Sequence, residues 1–327
     1  VRVLLDTNIW SSLGDEGTSR PFRDFMQSRG LEVLVTPSTL VEVMDLPVPA
    51  PRQRIIEALI TGSRRRLPTE AMSESAEVVA EIRRARPAWL RAMPDTATVA
   101  SLNTFWTRTI WRQARETSER LHLWQQAQPP IAPHIVRQQR RQRHDVLETR
   151  FSFRPLTAIK ARLAPETPDH YRAGWIEGDE VDAWRAELRD LYWHQLVVVP
   201  GRAVVTRQDT TFADWVGAYV DLRRLGSSRA DFTRFWLYDA SAEAVPRNWI
   251  RWAVRHIQTT QKISGGNPAD EQHSSYLVDA DIFLSADSRY VSTLKIVRDD
   301  APFAMAEPRL VSGDRCVPIL DRLAAVL

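Results

Sequence analysis

Lysine is nearly missing from this chain. Only Lys160, Lys262 and Lys295 occur, so 41 of the 44 basic residues are arginine. Arginine's planar fork suits bidentate phosphate contacts. A GC-rich genome gives the same bias, however, and a net charge of only +3 points to no polyanion by itself. Cysteine is scarcer still: the single Cys316 excludes an internal disulfide and any multi-cysteine zinc site. No run approaches the roughly 18 apolar residues that span a bilayer, so no membrane partner is expected. No charged-then-apolar leader precedes Asp6, and a cytoplasmic location is the expectation.

What remains is ordinary globular material. The 327 residues are 43% hydrophobic and 26% charged, enough for one large domain or two smaller ones. The first stretch alternates strand and helix. Val3–Leu5 reads as a buried strand, "PFRDFMQSRG" as a helix entered at Ser19 and stopped at Gly30, "LEVLVT" (31–36) as a second strand, and "PSTLVEVMDL" as a helix opened by Pro37. The last stretch resumes that order. A helix is capped by Asn267 with Pro268 behind it, followed by a strand "ADIFLS" (280–285), a short helix "SRYVSTLKIV", a strand in "PRLVSG" and a closing helix "CVPILDRLAAVL". Alternation of this kind predicts a parallel sheet covered by helices.

Between these stretches the pattern is mostly helical, as in "AMSESAEVVAEIRRA" (71–85) and "VDAWRAELRDLYWHQL" (181–196). Residues 196–207, "LVVVPGRAVVTR", read as a hairpin around Pro200-Gly201. Eleven of the 12 tryptophans fall in 89–252, and most are expected in the core rather than on nucleotide. The expected organisation is one discontinuous α/β domain, 1–64 and 256–327, interrupted by a mainly α-helical Trp/Arg-rich insertion, 65–255.

Four acids occupy places that such a sheet brings to one rim, where strand ends leave a crevice. Asp6 follows the first strand, Glu42 lies in the helix after the second, Asp270 opens a later helix, and Asp287 follows the strand ending at Ser285. Each has a bland alternative. Asp-Thr-Asn favours a strand-end turn, Asp270 complements a helix dipole, Glu42 fits a solvated helix face, and Asp287 can open a turn. Together they suit a divalent cation. Clustered carboxylates resist joint ionisation, and Mg2+ or Mn2+ takes hard oxygen ligands while keeping several waters. Asp279 and Asp281 lie near enough in sequence to replace Asp270 or Asp287.

"VLLDTNIW", "TPSTLVEVM" and "PADEQHSSYLVDADIFLSADSRY" resemble the successive motifs of PIN-domain nucleases of the VapC-like kind, over roughly residues 1–60 and 260–320. The resemblance implies a three-layer α/β/α sandwich with a parallel central sheet. It also implies a metal-dependent endoribonuclease in which Asp6, Glu42, Asp270 and Asp287 bind Mg2+ or Mn2+, directly or through water. Thr7, Asn8, Asp281 and Ser285 would support that site. Ser285 stands where the family usually has threonine, and the insertion is far longer than in small members. The same resemblance allows a toxin of a toxin–antitoxin or defence system, with an antitoxin or other protein partner, or a homodimer. A structure-specific DNA nuclease and a catalytically silent RNA-binding module are the alternatives.

"IVRQQRRQRHD" (135–145) is the expected RNA contact. Arg137, Arg140 and Arg141 would share a helix face with His144, Arg143 lies alongside, and Arg64 to Arg66 would extend the stripe. A solvated helix surface explains the same run. The RNA, single-stranded or structured, is unnamed by these residues, and His194, His256 and His273 show no metal spacing.

Overall fold

Arg2–Leu5 forms a four-residue strand, β1, whose last three residues are buried. A computed structural model describes the chain except for residues 63, 128–135, 138, 142, 144–154, 200–210 and 262–265. After β1 come α1 (Thr7–Asp15), α2 (Ser19–Ser28), β2 (Glu32–Val35), α3 (Pro37–Met44), α4 (Pro49–Ile60), β3 (Arg65–Arg66) and α5 (Glu70–Ala85). The local reasons are visible in the sequence. Gly30 adopts a φ of 65° just past α2, a left-handed position that glycine takes without penalty. Thr36 caps α3 by accepting from the Thr39 N–H at 3.2 Å, with Pro37 at the first helical position.

Further on, β4 (Lys160–Ala161) and β5 (Val181–Asp182) form a small antiparallel pair, and β6 (Ile282–Ser285) and β7 (Glu307–Leu310) return to the main sheet. That sheet has five strands in the order β3-β2-β1-β6-β7, every pairing parallel. Val3 aligns with both Val33 and Ile282, and Leu5 with Leu284. The side-chain period of two divides the core. Leu4, Leu34 and Phe283 face one hydrophobic cluster, whereas Val3, Leu5, Val33, Val35, Ile282 and Leu284 face the other. Helices cover both faces, as a parallel sheet requires.

The long middle segment does not stand apart from this core. Val78, Trp184, Trp236 and Trp249 pack into the cluster that holds Leu4 and Phe283, while Trp106, Trp111 and Trp215 join the cluster of Val3 and Leu5. Nine of the 12 tryptophans are buried, which bears out their expected role as core. The expected boundaries need correcting for the same reason. Arg65–Arg66 form β3, pairing with Leu34–Val35, so the sheet itself runs past residue 64. The other boundary, 255/256, cuts the Pro246–Thr260 helix. Middle-segment helices thus complete both helical layers instead of forming a separate body.

Two local expectations also change. Gly266, not Asn267, occupies the cap position, and Asn267 is the first residue of the Asn267–Ser274 helix. Leu196–Val198 do not open a hairpin; they end a π-helical turn, His194–Val198, that continues the Ala183–Trp193 helix. The remainder of that stretch, 200–207, lies outside the described residues.

A partly buried ion network ties the middle helices to the Asn267–Ser274 helix. Arg251 bridges Glu74 at 2.9 Å and Glu271 at 3.2 Å, and Arg255 reaches Glu187 at 2.9 Å. Arg247 bonds Asp279 at 2.7 Å and Glu77 at 3.1 Å. Such pairs are sensitive to loss of one partner, because the survivor stays buried and uncompensated.

Trp249, 1% exposed and edge-on to Phe303 at 5.5 Å, tests whether the layers are one unit. Trp249→Ala should cost about 3–5 kcal/mol, with denaturant unfolding still a single transition. Two separate transitions in wild type would show residues 65–255 to be independent after all.

Candidate functional site

Asp6 is the hinge between β1 and α1. Its N–H still donates across the sheet to the Leu284 carbonyl at 2.9 Å, so the residue is held by β6 before its side chain makes any contact. One carboxylate oxygen accepts from the Thr7 N–H at 2.7 Å, capping α1. The other accepts from the Asn8 amide at 2.6 Å and from the Ser285 hydroxyl at 2.5 Å. Asn8 also donates to the Ser285 oxygen at 3.1 Å and accepts from the Ala286 N–H at 3.0 Å. Two short neutral side chains, Asn8 and Ser285, and one backbone N–H thus fix one acid across two strand ends.

The remaining acids come from three other elements. Glu42, exposed on α3, accepts from the Thr7 hydroxyl at 2.6 Å. Asp287 caps the Ser288–Asp300 helix by accepting from the Arg289 and Tyr290 N–H groups at 2.9 and 3.0 Å, and its own N–H donates to Ser285. Asp270 sits in the first turn of the Asn267–Ser274 helix, where Gln258 donates to its carboxylate at 3.2 Å. Tyr290 donates its hydroxyl to the Asp270 carbonyl at 2.8 Å. Gln258 and Tyr290 carry no sequence motif, and only the fold reveals them.

Asp270 lies in the field of the other three carboxyls. Burial, then the charges of Asp6, Asp287 and Glu42, push Asp270 from 3.8 up to about 8, with Arg289 opposing. Burial also raises Asp6, against its Ser285 and Thr7 bonds, and Asp287 adds to the rise. Glu42 shifts upward as well: the residue is exposed, but its carboxylate end is partly desolvated at the rim, and Asp6 and Asp45 add to the rise, with the Thr7 hydroxyl opposing. The rim is therefore a concentration of negative potential stabilised mainly by neutral donors.

Thr7, Asn8 and Ser285 belong to this web, but Asp281 does not. It precedes β6, at the amino end of the sheet, where it accepts from the Arg2 N–H at 2.7 Å and pairs with the Arg2 guanidinium at 2.9 Å. Asp279 is engaged by Arg247 near that same end of β6. Neither is placed to replace Asp270 or Asp287. His273, which follows Asp270 by three residues, turns inward against Phe283, where burial lowers it to about 4.

Arg137, Arg140 and Arg141 are exposed on helical residues and Arg143 is half-buried, while His144 lies outside the described residues. None of these arginines takes part in the hydrogen-bond web of the rim. Of Arg64 to Arg66, Arg65 is exposed, while Arg64 and Arg66 are half-buried against aromatic rings. Arg64 lies over Trp10 and Phe22, at 5.4 and 4.8 Å, and Arg66 over Trp111 at 5.2 Å.

Comparisons with protein-family models, curated proteins and solved structures returned no match to this chain. Among the described residues, no three His, Cys, Asp or Glu side chains are already gathered closely enough to hold a metal ion. The donor chemistry still fits one. All four acids offer hard oxygens, their mutual repulsion is what a cation relieves, and Mg2+ needs only one or two direct carboxylates beside its waters. Asp6, Glu42, Asp270 and Asp287 are the residues that would hold it.

Because folding raises Asp270, the metal-free folded chain keeps a proton between about pH 4 and pH 8 that the unfolded chain has released. This group's contribution to stability is full below pH 3.8 and is lost as pH rises through about 8. In chelator at pH 8, Asp270→Asn should therefore raise Tm, by about 2–4 °C if the gain is near 1 kcal/mol. At pH 4 it should have little effect. An equal loss of Tm at both pH values would show that Asp270 carries no such electrostatic strain.

Proposed function

We propose that the chain is a divalent-metal-dependent endoribonuclease that hydrolyses RNA phosphodiester bonds at the carboxyl edge of its parallel sheet. One observation carries this reading: the web of Asp6, Ser285, Asn8, Thr7 and Glu42. It ties segments from opposite ends of the sequence into one rim, with Asp270 and Asp287 in the same electrostatic field. An ordinary turn at Asp6 needs only the Thr7 N–H; it has no use for a buried serine from another strand or for a threonine aimed at Glu42.

Bound Mg2+ or Mn2+ would supply an activated water and stabilise charge on the phosphodiester. The chain's own residues would do the positioning. Ser285 and Asn8 fix one oxygen of Asp6, Thr7 orients Glu42, and Gln258 and Tyr290 hold Asp270 at the head of its helix. The resemblance to PIN-domain nucleases in the order of these acids and the elements that carry them supports RNA as the substrate. It extends the proposal to a toxin or defence role with an antitoxin or other protein partner. The exposed Arg137, Arg140 and Arg141 are suited to backbone phosphates.

The test is cleavage of single-stranded RNA, tRNA and flap DNA by the full chain with Mn2+ and with chelator. Asp6→Asn and Asp270→Asn should each reduce RNA cleavage roughly 100-fold or more, and Ser285→Ala about 10- to 100-fold as a supporting residue. Undiminished activity in chelator, or in both aspartate variants, overturns the reading. Cutting confined to flap DNA identifies a structure-specific DNA nuclease, and Mn2+ binding without cleavage identifies a silent module.

A further inference from the structure

Beside the rim lies a slot of about 200 Å3 whose walls include Val41, Glu70, Trp106, Trp124, Trp215 and Gln272. It is smaller than the roughly 300–1,000 Å3 of drug-sized sites, the right scale for one heterocycle. It adjoins the proposed active site through α3. Ser38 lines the slot one helical turn before Glu42, and Val41 is its neighbour. We propose that this slot receives a guanine base of the RNA next to the cleaved bond.

Two features select a base, and guanine among the bases. Three tryptophans on a small slot are an aromatic surface of the kind that stacks on unpaired bases. Trp106 and Trp215 are buried, while Trp124 is half-buried. Among the described residues, Glu70 is the one charged residue on the slot's walls, and its carboxylate only accepts. Glu70 takes one bond from Gln272 and one from the Tyr276 hydroxyl at 3.0 Å. A carboxylate has about four acceptor sites, so two are left for a ligand. Guanine presents two adjacent donors, N1–H and N2–H, on its pairing edge. Ala71 also lies in the first turn of α5, where helical N–H groups lack intrahelical acceptors, which suits guanine O6. Adenine would set its N1 lone pair against the carboxylate.

The location beside a cleaved bond rests on the nuclease reading, but base binding does not, and the experiment separates them. GMP and AMP are titrated calorimetrically into the full chain without metal, for wild type, Glu70→Gln and Trp124→Ala. In parallel, cleavage ends in a long mixed-sequence RNA are mapped with Mn2+. GMP should bind roughly tenfold or more tightly than AMP. Glu70→Gln, which keeps the acceptor for Tyr276, should abolish that preference. Trp124→Ala should weaken both ligands roughly tenfold, and wild-type cleavage should fall at a fixed offset from guanine. Equal binding of GMP and AMP, or no GMP binding by a protein with native near-UV circular dichroism, overturns the guanine slot. Cleavage without guanine preference alongside that result leaves the nuclease reading standing. Selective GMP binding through Glu70 with no cleavage of any RNA does the reverse.

Discussion

The rim depends on one pairing: β1 against β6, strands whose ends meet at Asp6 and Ser285 although 279 residues separate them. Only with Leu5 beside Leu284 does the Ser285 hydroxyl reach the Asp6 carboxylate. The register is well specified. A slip of β1 by one residue would turn Val3 and Leu5 away from the cluster they share with Ile282 and Leu284 and exchange the two faces of that strand. Hydrophobic burial thus fixes the position of a polar contact to within one residue. Everything else at the rim, from the Asn8 bonds to the cap at Asp287, follows from that alignment.

The rim is costly as it stands. Asp6, Glu42 and Asp270 are all displaced towards their neutral forms, and the bonds that hold Asp6 and Glu42 come from hydroxyls and amides, which compensate charge less fully than a cation would. On the other side of the Asn267–Ser274 helix, Glu74, Glu77 and Glu271 have arginine partners, Arg247 and Arg251, in close ion pairs, although burial still raises Glu74 to about 7 and Glu77 to about 8. The same short helix carries a compensated acid, Glu271, and an overcrowded one, Asp270, side by side. Folds accept such local strain where a surrounding framework over-determines it, and functional sites are the usual place.

That framework is supplied by the middle of the chain. The Pro246–Thr260 helix contributes Trp249 and Trp252 to the core, Arg251 and Arg255 to the ion network, and Gln258 to Asp270. One helix therefore couples burial, charge pairing and the orientation of an acid. The tryptophan-rich segment is structural first, and where its indoles reach the surface slot they lie beside the wall that carries Glu42.

The sequence by itself determined the elements and the acids at their ends. Strand and helix periods, Pro37 and Gly30 are local signals, and Asp6, Glu42, Asp270 and Asp287 each sit at a place readable from a few neighbours. Tertiary structure decided what no local pattern encodes. It aimed Asn8 and Thr7 at particular partners and drew Gln258 and Tyr290 to Asp270. It also stacked Arg64 and Arg66 on indole and phenyl rings instead of opening them to a ligand. Asp281 shows the limit most simply. It adjoins the same strand as Ser285, but four residues at about 3.3 Å each put it roughly 13 Å away, at the other end of the sheet. The domain boundaries were illegible for a related reason. A helical period marks a buried face without saying which layer buries it, and only packing revealed that the middle helices cover the sheet.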